Sequence, residues 1–246
     1  VFTWGRPECG GDSSGVAGQL RNVRRLQASV AAFAAVLDNG SVITWGDPEN
    51  GGDSSHVAGQ LKNVKHIQAG ECAFAALLDN GSVITWGHPE YGGDSSLVSD
   101  KLKHVQHIQT TGFAFAAILD DGSVITWGRP DWGGDSSRVA LQLKNVKHIQ
   151  ATAFAFAAIL DNGSVITWGH PDNGGDSSRV AGQLQNVRHI HATGFAFAAV
   201  LDNGSVVTWG NPEDGGDSSR VVAQLKNVQQ IQGAGFAFAA VLDNGS

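Results

Sequence analysis

The sequence predicts an all-β chain, a closed six-bladed β-propeller built from six 41-residue repeats. Three observations predict it. First, Trp4, Trp45, Trp86, Trp127, Trp168 and Trp209 stand 41 residues apart, and the prolines from Pro7 to Pro212 and the aspartates from Asp12 to Asp217 keep the same step. Second, each repeat holds two segments apolar on both faces, the mark of strands covered on both sides. Third, the last repeat stops at Leu242–Ser246, "LDNGS", whereas the five earlier copies run on into a segment such as Val-Ile-Thr-Trp-Gly. That segment opens the chain as Val1–Gly5, "VFTWG". Val1–Trp4 is therefore expected to pair with Phe236–Leu242, completing the last blade and bringing Val1 within reach of Ser246. The repeats 1–41, 42–82, 83–123, 124–164, 165–205 and 206–246 fill 1–246 as a single propeller domain.

The repeat around Val165–Ser205 shows how each element is assigned. Val187–Ala192, "VRHIHA", reads as a first strand. Phe195–Leu201, "FAFAAVL", reads as a second, with Phe195, Phe197, Ala199 and Leu201 on one face. Asp-Asn-Gly follows, a strong hairpin signal because Asn and Gly accept positive φ. Val206–Trp209 is the strand beyond the hairpin. Arg179–Leu184 forms either a fourth strand or a helical turn. A small antiparallel sheet cannot bury both faces alone, and radial stacking of such sheets can. A period near 40 lies in the propeller range. A linear solenoid would need polar capping units, yet the first and last repeats are as apolar as the middle ones. The six Trp of the repeat are assigned a structural role.

The string "GSVITWG", a Gly-rich turn, "NVKHIQA" and then "AFAAILDNG" resembles the repeats of the regulator of chromosome condensation family. The resemblance covers all six units and implies a propeller. These units are shorter than is usual in that family, and there are six where its founding members have seven blades. The family includes a nucleotide-exchange factor, a plant ultraviolet receptor and lobes of ubiquitin ligases. The exchange activity depends on an insertion that this chain lacks, and the photoreceptor depends on clustered Trp, which here are spread one per unit with Trp132 extra.

Composition narrows the function. The formal net charge is −7, which argues against nucleic acid or an anionic membrane as partner. No apolar run approaches the roughly 18 residues that span a bilayer. Cys9 and Cys72 occupy non-equivalent places, so no disulfide framework is expected. No cofactor motif and no catalytic constellation stand out, since the acids recur symmetrically and no G-x-S-x-G elbow occurs. The chain reads as a non-enzyme.

The recurring "GGDSS" reads as a tight turn, because it lacks both the alternating oxygen ligands of a calcium loop and the Lys-Ser/Thr of a phosphate loop. Asn-Gly-Ser is a glycosylation acceptor, but the hairpin explains it equally. His66, His107, His148 and His189 recur at one strand position, where Arg25 and Gln230 stand in the outer units. Gln27, Gln68, Gln109, Gln150 and Gln232 recur two residues later, with His191 in the fifth unit. Inter-blade hydrogen bonding accounts for the column. A metal or anion site, best at His189 and His191, competes weakly because the ring is broken.

The columns that vary between units flank the "GGDSS" turn, as on a scaffold that carries contacts on loops. Tyr91 and Trp132 share one such column, with Leu97 and Arg138 near them in sequence. Aromatic and Arg residues dominate binding hot spots. Tyr91, Leu97, Trp132 and Arg138 are thus the candidate binding residues, and another protein is the expected partner. Two readings compete: a small-ligand or glycan-binding propeller with repeated sites, and an engineered symmetric scaffold without a biological ligand.

Overall fold

The structure is a computed structural model and describes residues 1–245. Among the described residues there are 17 strands, all in antiparallel sheets. The first sheet is β1 (Val23–Ala28), β2 (Ala32–Leu37) and β3 (Val42–Gly46). The next are β4 (Val64–Ala69), β5 (Ala73–Leu78) and β6 (Val83–Gly87), then β7 (Val105–Thr110), β8 (Ala114–Leu119) and β9 (Val124–Gly128). They are followed by β10 (Val146–Ala151), β11 (Ala155–Leu160) and β12 (Val165–Gly169), then β13 (Val187–Ala192), β14 (Ala196–Leu201) and β15 (Val206–Gly210). The last sheet holds β16 (Val228–Gly233) and β17 (Phe238–Leu242). The chain forms two compact units, Val1–Asp120 with Ile125–Arg129, and Asp121–Val124 with Pro130–Ser246. No helix among the described residues is long and apolar enough to cross a membrane.

Each strand has a local reason. The hairpin between the second and third strands turns on Gly, with Gly40 at φ +76°. Asn39 Oδ1 accepts from the Ser41 backbone N–H at 3.0 Å and from its hydroxyl at 2.7 Å. Asp121 makes the same two bonds to Ser123 in the third repeat. The short link between the first and second strands is tied by a hydroxyl. Thr152 Oγ1 accepts from Phe154 N–H at 3.2 Å and Ala155 N–H at 2.9 Å. The segment 179–184 resolves as a turn of 3-10 helix, Ala181–Gln183, rather than a strand.

The packing between sheets explains the "FAFAA" text. In the second unit, Ala155, Ala157 and Ile159 of β11 pack against Ile190, Phe197, Ala199 and Trp209 of the next sheet. In the first unit, Ala32, Ala34 and Val36 of β2 meet Ile67, Phe74, Ala76 and Trp86 in the same way. Within each unit a sheet thus offers a flat Ala face to the next sheet, and small side chains allow the close approach. Phe33, Phe74, Phe115, Phe156 and Phe197 each stack on the Trp paired with them across the hairpin, with centroids 5.1–5.3 Å apart.

One expectation is only partly met. Among the described residues Val1–Trp4 lies in no strand, and the sixth sheet holds two strands, β16 and β17, where three were expected. Phe2 is 94% and Trp4 86% exposed, whereas Trp45, Trp86, Trp127, Trp168 and Trp209 are buried. The Trp strands β3, β6, β12 and β15 are each held in register by a hairpin to the Phe strand before them. The expected proximity of Val1 to Ser246 falls on a residue outside the described ones.

Candidate functional site

The turn after each Trp strand opens the candidate site. Gly-Gly lets the chain double back: Gly133 has φ +103° and a Cβ there would meet the Phe156 ring at 2.5 Å. The following Asp caps its own turn, with Asp135 Oδ1 accepting from Ser137 N–H at 2.8 Å. The equivalent bond occurs at Asp12, Asp53, Asp94, Asp176 and Asp217. Those backbone donors hold each carboxyl below its usual range. The "GGDSS" stretch is therefore a turn built on its own hydrogen bonds.

In the second unit, the loop from Pro130 and the loop from Pro171 flank a cleft of about 950 Å³ floored by β12. Trp132 and Arg138 both line it, together with Asp131, Asp135 and His170. Trp132 packs edge-on against Phe154, centroid to centroid 5.3 Å. Phe154, Phe195 and Phe236 continue as a row at 5.7 and 5.6 Å. Backbone bonds from Ala153 N–H to Gly194 O and from Gly194 N–H to Gly235 O, each 2.9 Å, hold the row in step. His170 Nδ1 is buried with no hydrogen-bond partner. An orphaned polar atom of this kind costs free energy until something pairs with it.

A similar cleft of about 910 Å³ follows in the same unit, floored by β15 and lined by Asp172, Asp176 and Arg179. The position of Trp132 is Asn173 there, so the aromatic side wall is missing. In the first unit, Tyr91 stacks on His88 at 4.3 Å and meets Phe113 edge-on at 5.1 Å. Leu97 of that unit is 96% exposed. A smaller cleft there, about 240 Å³, is lined by Glu49, Asp53, His56 and His88. His88 Nδ1 is also buried without a partner.

The structure thus brings Trp132 and Arg138 to one cleft and places Tyr91 and Leu97 in the other unit. His189 and His191 lie on β13, His189 exposed and His191 half-buried. Burial, then His189, pushes the His191 pKa down. Among the described residues no group of three or more His, Cys, Asp or Glu is placed to hold a metal ion. Sequence reasoning missed the row Phe154, Phe195 and Phe236. It put Phe195 inside the strand, whereas β14 begins at Ala196 and leaves Phe195 half-buried on the link. The signal was present in the column Ala31, Cys72, Phe113, Phe154, Phe195 and Phe236, which varies between repeats as the loop columns do.

The fold is that of the RCC1-type β-propeller repeat. Yeast RCC1 (Prp20), solved bound to Kap60, is similar at a TM-score of 0.56 with 15% identity, over 94% of this chain and 70% of that one. Human WBSCR16 is similar at 0.54 with 14% identity, over 89% and 71%. Prp20p from Saccharomyces cerevisiae, described with its binding properties to Gsp1p and histones, is similar at 0.52 with 17% identity, over 91% and 70%. At these identities the likeness is one of fold. No family model and no curated protein matches the chain.

Proposed function

We propose that the protein is a non-enzymatic propeller scaffold that binds another protein through the cleft of Trp132 and Arg138. One observation carries this reading: a half-buried Trp, an exposed Arg and an unpaired His170 nitrogen converge on a single cleft. Trp and Arg are the side chains that most often anchor protein interfaces. An incoming donor or acceptor would pair with His170 Nδ1. The fold likeness to proteins solved or described with protein partners supports the same reading. The reading takes the six repeats as one propeller domain with its blades closed in a ring, which small-angle scattering tests. Trp132→Ala and Arg138→Ala are expected to abolish capture of the partner, and Arg138→Ala, at an exposed residue, to do so without lowering the melting temperature. Capture unchanged in both variants overturns the reading.

A second reading rests on the near-equal clefts over β12 and β15. A propeller with repeated small-ligand or glycan sites would use both. Saturable sugar binding at more than one site per chain would favour it over the first.

A further inference from the structure

The first strand of every sheet is free of carboxylates. β1, β4, β7, β10, β13 and β16 hold Arg24, Arg25, Lys65, Lys147 and Arg188, and also His66, His107, His148, His189 and His191, but no Asp or Glu. These basic side chains sit in a chain of formal net charge −7. In the first unit these strands adjoin, β1 against β4 and β4 against β7.

Arg25 Nη1 lies 2.9 Å from His66 Nδ1. A guanidinium has donors only, so the imidazole accepts through Nδ1 and carries its proton on Nε2. Arg24 Nη2 donates to the Val64 carbonyl at 3.0 Å. Neither arginine, nor Lys65, is within ion-pair distance of a carboxylate among the described residues. Burial, then Arg25, then His107 push the His66 pKa down. Arg25 is thus a cation without a carboxylate partner, and an anion placed against it removes the cost of that unpaired charge.

We propose that the row Arg25, His66 and His107 binds an oxyanion of the phosphate or sulfate class. The planar fork of Arg25 suits two oxygens of a tetrahedral anion. To present that fork Arg25 releases His66 Nδ1, since an anion on Nε2–H would sit on the far side of the ring from Arg25. In the second unit the column offers His148 and His189 with Gln230, without an arginine at the position of Arg25. The first unit is therefore the site. Arg25 on β1 and His107 on β7 are the charged or titratable groups facing His66, since β2 and β5 carry only apolar side chains. Protonation of the released His66 Nδ1 adds charge to the site, and because the His66 pKa is lowered the gain in affinity comes as pH falls below the ordinary imidazole range.

The test is titration of the full chain with sodium sulfate at low ionic strength, read by calorimetry and by the imidazole resonances. Sulfate keeps its charge near neutrality, so any pH dependence belongs to the protein. Saturable binding is expected, with shifts of the His66 and His107 signals and none at His170. Arg25→Gln is expected to weaken it about tenfold, and Arg25→Lys, which keeps the charge and loses the fork, less. A parallel titration with O-phosphoserine separates sources: equal affinity identifies a free oxyanion, and tighter binding identifies an organic phosphate. Absence of saturable binding by both probes overturns the proposal. So does binding that Arg25→Gln leaves unchanged.

Discussion

The indole N–H of Trp168 donates to the carbonyl of Gly133, 35 residues earlier, at 3.0 Å. The same bond joins Trp45 to Gly10, Trp86 to Gly51, Trp127 to Gly92 and Trp209 to Gly174. Each ties a sheet to the loop that leads into it. The glycine lies on the Phe ring that the Trp stacks against, so one contact joins loop, Phe strand and Trp strand.

Gly133→Ala is therefore expected to destabilise strongly. Its Cβ would meet the Phe156 ring at 2.5 Å, and φ is +103°. Strain and overpacking together should cost about 3 kcal/mol, read in a denaturant melt. Gly182→Ala is the control. Nothing lies within 4 Å of a Cβ there, so the change should be neutral or add about 0.5 kcal/mol.

Trp168→Phe keeps a ring on Phe156 and removes the indole donor. The Gly133 carbonyl is then left unpaired beneath the sheet. A loss of about 1–3 kcal/mol is expected, and a melt indistinguishable from wild type would show that the bond contributes nothing.

The Asp turns give the protein an acid limit. Backbone N–H donation, from Ser55 to Asp53 for example, lowers these carboxyl pKa values in the folded state. A lowered carboxyl pKa stabilises above the unfolded value and ceases to as pH falls through the folded one. Stability should therefore decline below about pH 4. Asp53→Asn keeps the acceptor oxygen and removes the titration, so the variant should lose less stability than wild type between neutral and acid pH.

Arg25 also sets the state of His66. With the guanidinium gone, one cause of the lowered pKa goes too. Arg25→Gln should move the His66 titration up toward about 6.5 in histidine-resolved spectra. Because a lowered histidine pKa stabilises above the unfolded value and is lost as pH falls, the variant should also lose less stability on mild acidification.

Much of the fold was legible because repetition exposes what each position must be. The hairpin at Asn39-Gly40, the strands Val187–Ala192 and 196–201, and the turn role of "GGDSS" follow from local rules that each repeat obeys separately. What depended on distant pairing was less legible. Val1–Trp4 has the right residues for a strand but lies in none. The αL conformation of Asn22, Asn63, Asn145, Asn186 and Asn227 also went unread, and His104 takes it at φ 58°. At the candidate site, the Trp132 column stood out by residue type. The Phe154 row did not, because period-two alternation assigns Phe195 to the same face as Phe197, and only the link geometry turns it outward. The His and Gln column was visible, but its missing carboxylates gained meaning once Arg25 met His66.

The central claim is that the cleft over β12 holds a protein partner on Trp132 and Arg138. The most direct measurement places a photo-crosslinking residue at Gln142, which lines that cleft, and compares it with the same residue at Gln183 in the cleft over β15. A discrete crosslinked partner at Gln142, lost on Trp132→Ala and absent at Gln183, is the predicted result. Equal crosslinking at both positions, or a product that Trp132→Ala leaves intact, would contradict it.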